Sequence, residues 1–298
     1  TRDLKSWLTI NSLDKDEFLK MKESWFDEIM KIKSKRTKPR IDDKTIVSWN
    51  ALSIIGLIDA YDAFKDDLLL TKAKKMFDNL LKKGFKNNML VHTFKEKQYQ
   101  DGVLEDYAFL SKAAMRLFQT TGEEYYFKKS KEIVDNSIKY FKDEESDLLL
   151  YTTNKELFTK IVSIDDGVIP SPNSIIAEQL FNIGHIIFDD YYLDQSNKMV
   201  SSVKEIIDGN INSYSVWANN ILNRVELFYE IAVIGNDSDS KTKLISEKLL
   251  PNVILVQSNS ESEIPLFIDR YFEDETYIYV CQNKTCQRPE TNIKYALE

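Results

Sequence analysis

The chain has 298 residues, 43% of them hydrophobic, which is enough apolar material for a sizeable core in one large or two modest domains. A formal net charge of -8 argues against a nucleic-acid or anionic-membrane partner, and no stretch approaches the length of a membrane span. The N-terminus does not resemble a signal peptide, and two cysteines without an export signal favour a reducing compartment, so we expect a cytoplasmic location.

The first residues predict one amphipathic helix followed by a basic connection. Asp14 is a candidate N-cap, and apolar residues from Phe18 to Ile32 recur at helical spacing. The run from Lys31 to Arg40 is basic, and its Pro39 favours a break in the chain. We interpret this run as a solvated connection rather than a phosphate site.

Acidic turns stand before three strongly apolar helices, and an amphipathic helix follows each of them. The acids recur roughly every 60 positions, a period typical of stacked helical hairpins in an inner and an outer layer. This arrangement predicts that the acidic turns lie at one end of the inner layer. The alternative is that each acid merely caps its own helix. The turns are Asp42-Asp43, Glu105-Asp106 and Asp165-Asp166.

The last part of the chain changes character at about residue 230. β-type runs at 230–235 and 252–256 flank a predicted helix at 241–250, so these two strands are expected to be parallel. A third strand is predicted at 276–280. The sequence therefore predicts a mainly α protein with a helical region over residues 1–229 and a small α/β module over residues 230–298.

The predicted rim of acidic turns holds the candidate site. Asp43, Asp106 and Asp166 are the candidate catalytic acids, because glycoside hydrolysis uses paired carboxylates. His92 precedes the second acidic turn and is a candidate acid or base, whereas His185 lies in an apolar helix and is expected to be a satisfied core residue. The predicted substrate-binding residues are Asp42, Lys44, Trp49, Asn50, Glu105, Tyr107, Asp165, Ser171 and Asn173.

The two cysteines, Cys281 and Cys286, are separated by four residues. A zinc site needs four ligands and neither histidine is near in sequence, so we expect no metal, and nothing in the chain indicates a cofactor. The spacing also differs from a redox C-x-x-C motif. Buried thiols are the expected state, and a redox pair is the alternative.

Four ordered motifs resemble the bacterial YyaL proteins and the animal spermatogenesis-associated thioredoxin-domain protein. The motifs are Asp42-Asp43-Lys44 with Ser48-Trp49-Asn50, Glu105-Asp106-Tyr107, Asp165-Asp166-Gly167 with Pro170-Ser171 and Asn173-Ser174, and Tyr279-Val280-Cys281-Gln282-Asn283 with Cys286 and Pro289. The resemblance implies an (α/α)6 toroid of the six-hairpin glycosidase type, related to sugar epimerases, of which this chain would form about half. It also implies a thioredoxin-like N-terminal domain and further helical hairpins as partners, or self-association of the half toroid.

Two functions follow as expectations. The first is a carbohydrate-related module, glycosidase-like or epimerase-like, whose rim of acids and aromatic residues binds a sugar. The second is a non-enzymatic structural or interaction half of a thioredoxin-domain-containing protein.

Overall fold

The computed structural model describes residues 3–95, 98–154, 159–207 and 209–297. It divides into two compact units, Thr1–Asp43 and Lys44–Glu298. The first unit contains α1 (Leu4–Ile10) and α2 (Lys15–Ser34). Asp14 caps α2 as predicted, because its carboxylate accepts hydrogen bonds from the N–H groups at positions 16 and 17. These bonds lower the pKa of Asp14.

Helical hairpins in two layers form the body of the second unit, as the repeat predicts. The inner helices α3, α5 and α7 pack side by side, and each packs against its own outer partner. Most side chains of α5 and α7 are buried, whereas the outer helix α4 buries Ala73, Phe77 and Leu80 along one stripe. The hairpins are α3 (Val47–Phe64) with α4 (Asp67–Lys83), α5 (Leu104–Thr121) with α6 (Glu124–Phe141), and α7 (Pro172–Ile187) with α8 (Asp190–Ile207).

A further helix, α9 (Ser215–Val225), packs against α7 and α8. It is shorter than the stretch of about 213–229 that its apolar stripe predicts, because the chain turns extended at Glu226 before the next strand. In the part of the chain that the structure describes, no helix combines the length and the apolar character needed to cross a membrane.

A small antiparallel sheet lies beside the starts of the inner helices. Its central strand is β3, which pairs with β1, β2 and β4. The sequence at 89–94 and 97–100 predicts a short hairpin or an extended loop, and the antiparallel pairing of β3 with β4 shows that it is the hairpin. The strands are β1 (Thr45–Ile46), β2 (Phe85–Lys86), β3 (Met89–Lys95) and β4 (Gln98–Asp101).

The C-terminal module is an α/β unit, as predicted. Its strand order is β6-β5-β7-β8, with β5 and β6 parallel and β7 antiparallel to β5. Helix α10 (Ser238–Ser246) connects the parallel pair, and α11 (Ile293–Ala296) covers the same face. The strands are β5 (Tyr229–Ile234), β6 (Val253–Ser258), β7 (Tyr277–Gln282) and β8 (Thr285–Cys286).

The module packs against the C-terminal ends of the inner helices. The side chain of Gln257 donates a hydrogen bond to the carbonyl of Thr120, 2.7 Å away, and the N–H of Leu266 donates to the carbonyl of Ile186. One hydrophobic core runs from the inner helices into this face of the sheet. Secondary structure therefore changes near the predicted boundary at residue 229, while the core continues across it.

Gly122 makes the close approach of the two regions possible, which yields a first prediction. It ends α5 with φ +72°, and a Cβ there would lie 2.9 Å from the carbonyl oxygen of Gln257. Gly122→Ala is expected to lower the free energy of unfolding by about 1 to 3 kcal/mol, because strain and crowding add. Urea denaturation measures this change.

Gly56→Ala is the matched control. Gly56 is exposed within α3, and a Cβ there would meet nothing within 4 Å. Alanine is the better helix former, so the free energy of unfolding should stay the same or rise by up to about 1 kcal/mol. Equal losses in the two variants would contradict the packing described for Gly122.

Candidate functional site

Asp106 joins the starts of two inner helices. The sequence predicts that Asp42 and Asp43 open the first apolar helix, but α3 begins at Val47, after the short strand β1. The N–H of Ser48 in its first turn is instead satisfied by the carboxylate of Asp106, 3.0 Å away on the next hairpin. The same carboxylate accepts the N–H of Val103, also at 3.0 Å, and is fully buried. One side chain therefore caps both α3 and α5.

His92 meets this buried carboxylate from strand β3. Its Nδ1 lies 3.0 and 3.2 Å from the two carboxylate oxygens of Asp106. The pairing of β3 with β4 shifts between Val91 and Thr93, so His92 sits in a β-bulge, a feature that re-aims a side chain. The His92 side chain is 28% exposed, whereas that of Asp106 is 0% exposed. Asp106 thus holds Nδ1 of the His92 ring and does not contact Nε2.

The surroundings of His92 carry charges of both signs. The hydrogen bond to Asp106 raises the pKa of His92, and Glu105 adds to this increase, while partial burial and Lys44 oppose it. The hydroxyl of Tyr151 lies 3.5 Å from a carboxylate oxygen of Glu105, and burial raises the pKa of Tyr151 to about 12. We call these residues the His92 site: Lys44, His92, Glu105, Asp106 and Tyr151.

The start of α7 is held at the same end of the inner layer. The Asn173 side chain accepts the N–H of Leu149 at 2.8 Å and donates to the carbonyls of Leu149 and Ser163. The N–H of Leu104, the first residue of α5, donates to the carbonyl of Tyr151 in the same segment. The segment from Leu149 to Tyr151 therefore links the starts of α5 and α7, in agreement with turns that converge at one end.

Asp166 ties α7 to α9. Its carboxylate accepts hydrogen bonds from the N–H groups of Ser171 and Val216, both at 2.9 Å, and from the hydroxyl of Ser215 at 3.1 Å. The structure thus engages Asp166 in capping contacts. These contacts agree with the alternative of helix capping. The role of Asp166 as a catalytic acid stays a prediction.

Several predicted site residues lie inside the protein, where the contacts that the structure shows for them are structural, and a role in ligand binding stays a prediction. Tyr107 is 1% exposed, and its hydroxyl accepts the N–H of Leu90 at 3.0 Å. Ser171 caps α7, and Asn173 is fully buried with its amide engaged as described. Asp106 is fully buried and contacts Nδ1 of His92, so its visible contacts hold that ring, and its role as a catalytic acid stays a prediction. The sequence pattern that suggested these residues also marks the starts of helices, where polar side chains form hydrogen bonds with backbone N–H groups.

Other predicted residues lie at the surface, where contact with a ligand stays a prediction. Trp49 is 62% exposed in the first turn of α3, and Asp165 is exposed before α7. Asn50 is half-buried, and its amide donates to the carbonyl of Ile46 at 2.8 Å. Asp42 and Asp43 are exposed residues of the N-terminal unit, in a stretch without regular structure. Tyr151, which the sequence prediction missed, lies in the extended segment before the third acidic turn.

The expectation of free thiols is wrong, because a disulfide joins Cys281 and Cys286. The two residues lie opposite each other in the β7–β8 hairpin. Its two-residue loop is Asn283-Lys284, with positive φ at both positions, the pattern of a type I′ turn. This turn fixes the register that brings the cysteines together. The expected core role of His185 is supported, since it bonds the buried Glu230.

Comparison with known proteins confirms the resemblance and the fold. No family model matches the chain. It is 24% identical over 287 residues to an uncharacterized protein of Caenorhabditis elegans, covering 88% of this chain and 38% of that protein. It is 20% identical over 309 residues to human spermatogenesis-associated protein 20, covering 94% and 39%. The chain therefore spans less than two fifths of the length of these relatives.

The architecture of the chain is similar to that of a solved structure. An α-mannanase of glycoside hydrolase family 76 from Bacteroides thetaiotaomicron matches with a TM-score of 0.52 and 16% identity, covering 76% of this chain and 66% of that one. The described residues thus share the helical-hairpin fold of that toroid, with three hairpins and a small α/β appendage, in agreement with the predicted partial toroid. At this identity the likeness establishes the fold alone.

The pairing of His92 with Asp106 predicts a pH-dependent stability. The pKa of His92 is higher in the folded state than the ordinary 6.5, so its stabilising contribution is complete below that value. The contribution is lost as pH rises through the folded pKa. The difference in melting temperature between the wild type and His92→Gln should therefore be largest near pH 6 and shrink toward about pH 9. A difference that stays constant across this range would contradict the pairing.

Proposed function

We propose that the His92 site binds a sugar-like ligand and that His92 moves a proton to or from it. The observation that carries this proposal is a partly exposed imidazole whose Nδ1 is fixed by a fully buried carboxylate. A histidine held in this way presents Nε2 in a defined direction, which is what general acid–base chemistry needs. Asp106 positions the ring and stabilises its protonated form, without contacting the ligand.

The engagement of the acids favours proton transfer over hydrolysis by two carboxylates. Hydrolysis requires two carboxyl groups that flank the glycosidic bond. Asp106 is buried, and Asp166 already accepts three hydrogen bonds. An epimerase-like step, in which a base removes a proton beside a carbonyl, needs a single well-placed base, and His92 fits this role. Hydrolysis that uses Glu105 is the alternative reaction.

Neighbouring groups have matching roles in this proposal. The neutral His92 Nε2 accepts the proton from the carbon, and the resulting imidazolium returns it. Lys44 contributes positive charge that stabilises the developing oxyanion, as an ammonium group does in other sites. Trp49, which is 62% exposed, offers an apolar face for packing against a sugar ring. The fold shared with an α-mannanase supports the class of ligand by analogy.

A thermal-shift screen against mono- and oligosaccharides tests the proposal, followed by NMR detection of deuterium uptake by the responding sugar in D2O. We expect a rise of the melting temperature of several degrees for one sugar class, on the order of what a ligand well above its Kd produces. His92→Gln and Asp106→Asn should remove deuterium uptake. Uptake that is equal in His92→Gln and the wild type would contradict the role of His92.

His185→Gln is the matched control. It makes the same histidine-to-glutamine change at the other end of the inner helices, where His185 bonds Glu230. This variant is expected to melt at a lower temperature but to keep both the sugar response and the deuterium uptake. Loss of uptake in this variant as well would indicate general damage to the protein rather than a site at His92.

A second candidate function is assembly with further helical hairpins. The first hairpin exposes large apolar side chains: Phe64 is 78%, Leu68 65% and Trp49 62% exposed. In this proposal, these side chains would be covered by the hairpins that pack against the first one. The C. elegans relative is longer, since the chain covers 38% of it, and has room for hairpins that would pack there. This function would be favoured by a sugar screen without any response, combined with one of two further results. The first is self-association in sedimentation, and the second is binding to separately expressed further hairpins with the expected thioredoxin-like domain.

A further inference from the structure

The disulfide of the C-terminal module is asymmetric in its exposure and its neighbours. Cys281 is 1% exposed, whereas Cys286 is half-buried on β8, the edge strand of the sheet. A guanidinium nitrogen of Arg270 lies 3.5 Å from the Sγ of Cys281. The same nitrogen donates to the carbonyl of Leu266 at 2.9 Å, and the guanidinium stacks over the ring of Tyr279 at 5.1 Å. A fixed positive charge therefore faces the buried sulfur.

A buried carboxylate shares this environment. Glu230 is directly opposite Cys281 in the β5–β7 pairing, so both side chains project from the same face of the sheet. Glu230 is 1% exposed, and one of its oxygens bonds Nδ1 of His185. Its other oxygen has no hydrogen-bond partner among the described residues. The charge of Glu230 also interacts with the guanidinium of Arg270, so both groups belong to the surroundings of Cys281.

We propose that Cys281–Cys286 is a redox-active disulfide that accepts two electrons from a dithiol. Cys286 is the sulfur that the dithiol attacks, and Cys281 is the leaving thiolate, held by Arg270. This inference stands on the C-terminal module and is independent of the proposed function of the His92 site.

The exchange proceeds in two displacements. A thiolate of the dithiol attacks Sγ of Cys286, the bond between the two cysteines breaks, and Cys281 leaves as a thiolate. The second thiol of the reductant, once deprotonated, then attacks its own sulfur in the mixed disulfide, and Cys286 leaves as a thiolate. The dithiol is oxidised to a disulfide and the protein pair is reduced. The reductant loses two protons in the exchange, and the two cysteine thiolates take up two, so the protons balance.

The surroundings decide which sulfur leaves. Thiol–disulfide exchange is faster when the leaving thiol has the lower pKa, and a nearby guanidinium lowers the pKa of a thiol. Cys281 faces Arg270, while Cys286 is the sulfur that an incoming thiol reaches from the edge of the sheet. Glu230, which bonds His185, lies opposite Cys281 on the same face of the sheet.

The test measures the rate at which the oxidised full-length chain is reduced by dithiothreitol at pH 7, with alkylation of the released thiols and mass spectrometry. Arg270→Gln is expected to slow reduction about tenfold, because the leaving thiolate loses its counter-charge. Arg270→Lys, which keeps the charge, should restore most of the rate. Arg288→Gln is the matched control, since Arg288 is an exposed cation two residues after Cys286, and it should react at the wild-type rate.

A second measurement does not depend on any variant folding. Wild-type protein treated with glutathione, a monothiol, and quenched early should carry glutathione on Cys286, as peptide mapping would show. Glutathione found mainly on Cys281, or equal reduction rates for wild type, Arg270→Gln and Arg270→Lys with all three folded by circular dichroism, would overturn the proposal.

Discussion

The carboxylate of Asp106 is the interaction on which much of the rest depends. It satisfies the N–H of Ser48 at the start of α3 and that of Val103 at the start of α5, and it holds the ring of His92 from β3. A fully buried charge is tolerated because each of its oxygens is hydrogen-bonded. The contact that aligns two inner helices is therefore also the contact that aims the candidate catalytic group, so stability and site geometry have a common cause.

The two ends of the inner helices differ in their chemistry. The starts of the helices present N–H groups, which side-chain carboxylates and amides satisfy, and this explains why acids accumulate there. The opposite end is covered by the α/β module, whose core continues that of the helices. The His92 site and the disulfide thus occupy separate regions of one unit. Each has a buried acid–histidine pair, Asp106 with His92 and Glu230 with His185, but only the first leaves a substantial part of its imidazole exposed.

Much of the fold was predictable from sequence, because the period of the apolar residues distinguishes inner from outer helices and the β–α–β pattern implies parallel strands. The site was predictable only in part. The repeat predicted a candidate site at the starts of the inner helices and included His92, but it could not separate an exposed acid from one that caps a neighbouring helix. Asp106 caps α3 across 58 positions of sequence, a contact that no local pattern reveals. The disulfide was missed although Asn283-Lys284 carries the turn that sets its register.

The most direct test of this account is an NMR titration of the two histidines, using long-range proton–nitrogen correlations that distinguish the ring nitrogens. The chain contains only His92 and His185, so the His92→Gln variant assigns both sets of signals. We predict that neutral His92 carries its proton on Nδ1, toward Asp106, and titrates with a pKa above 6.5, and that Asp106→Asn lowers this pKa. A neutral His92 protonated on Nε2, with a pKa at or below 6.5 that Asp106→Asn leaves unchanged, would contradict it.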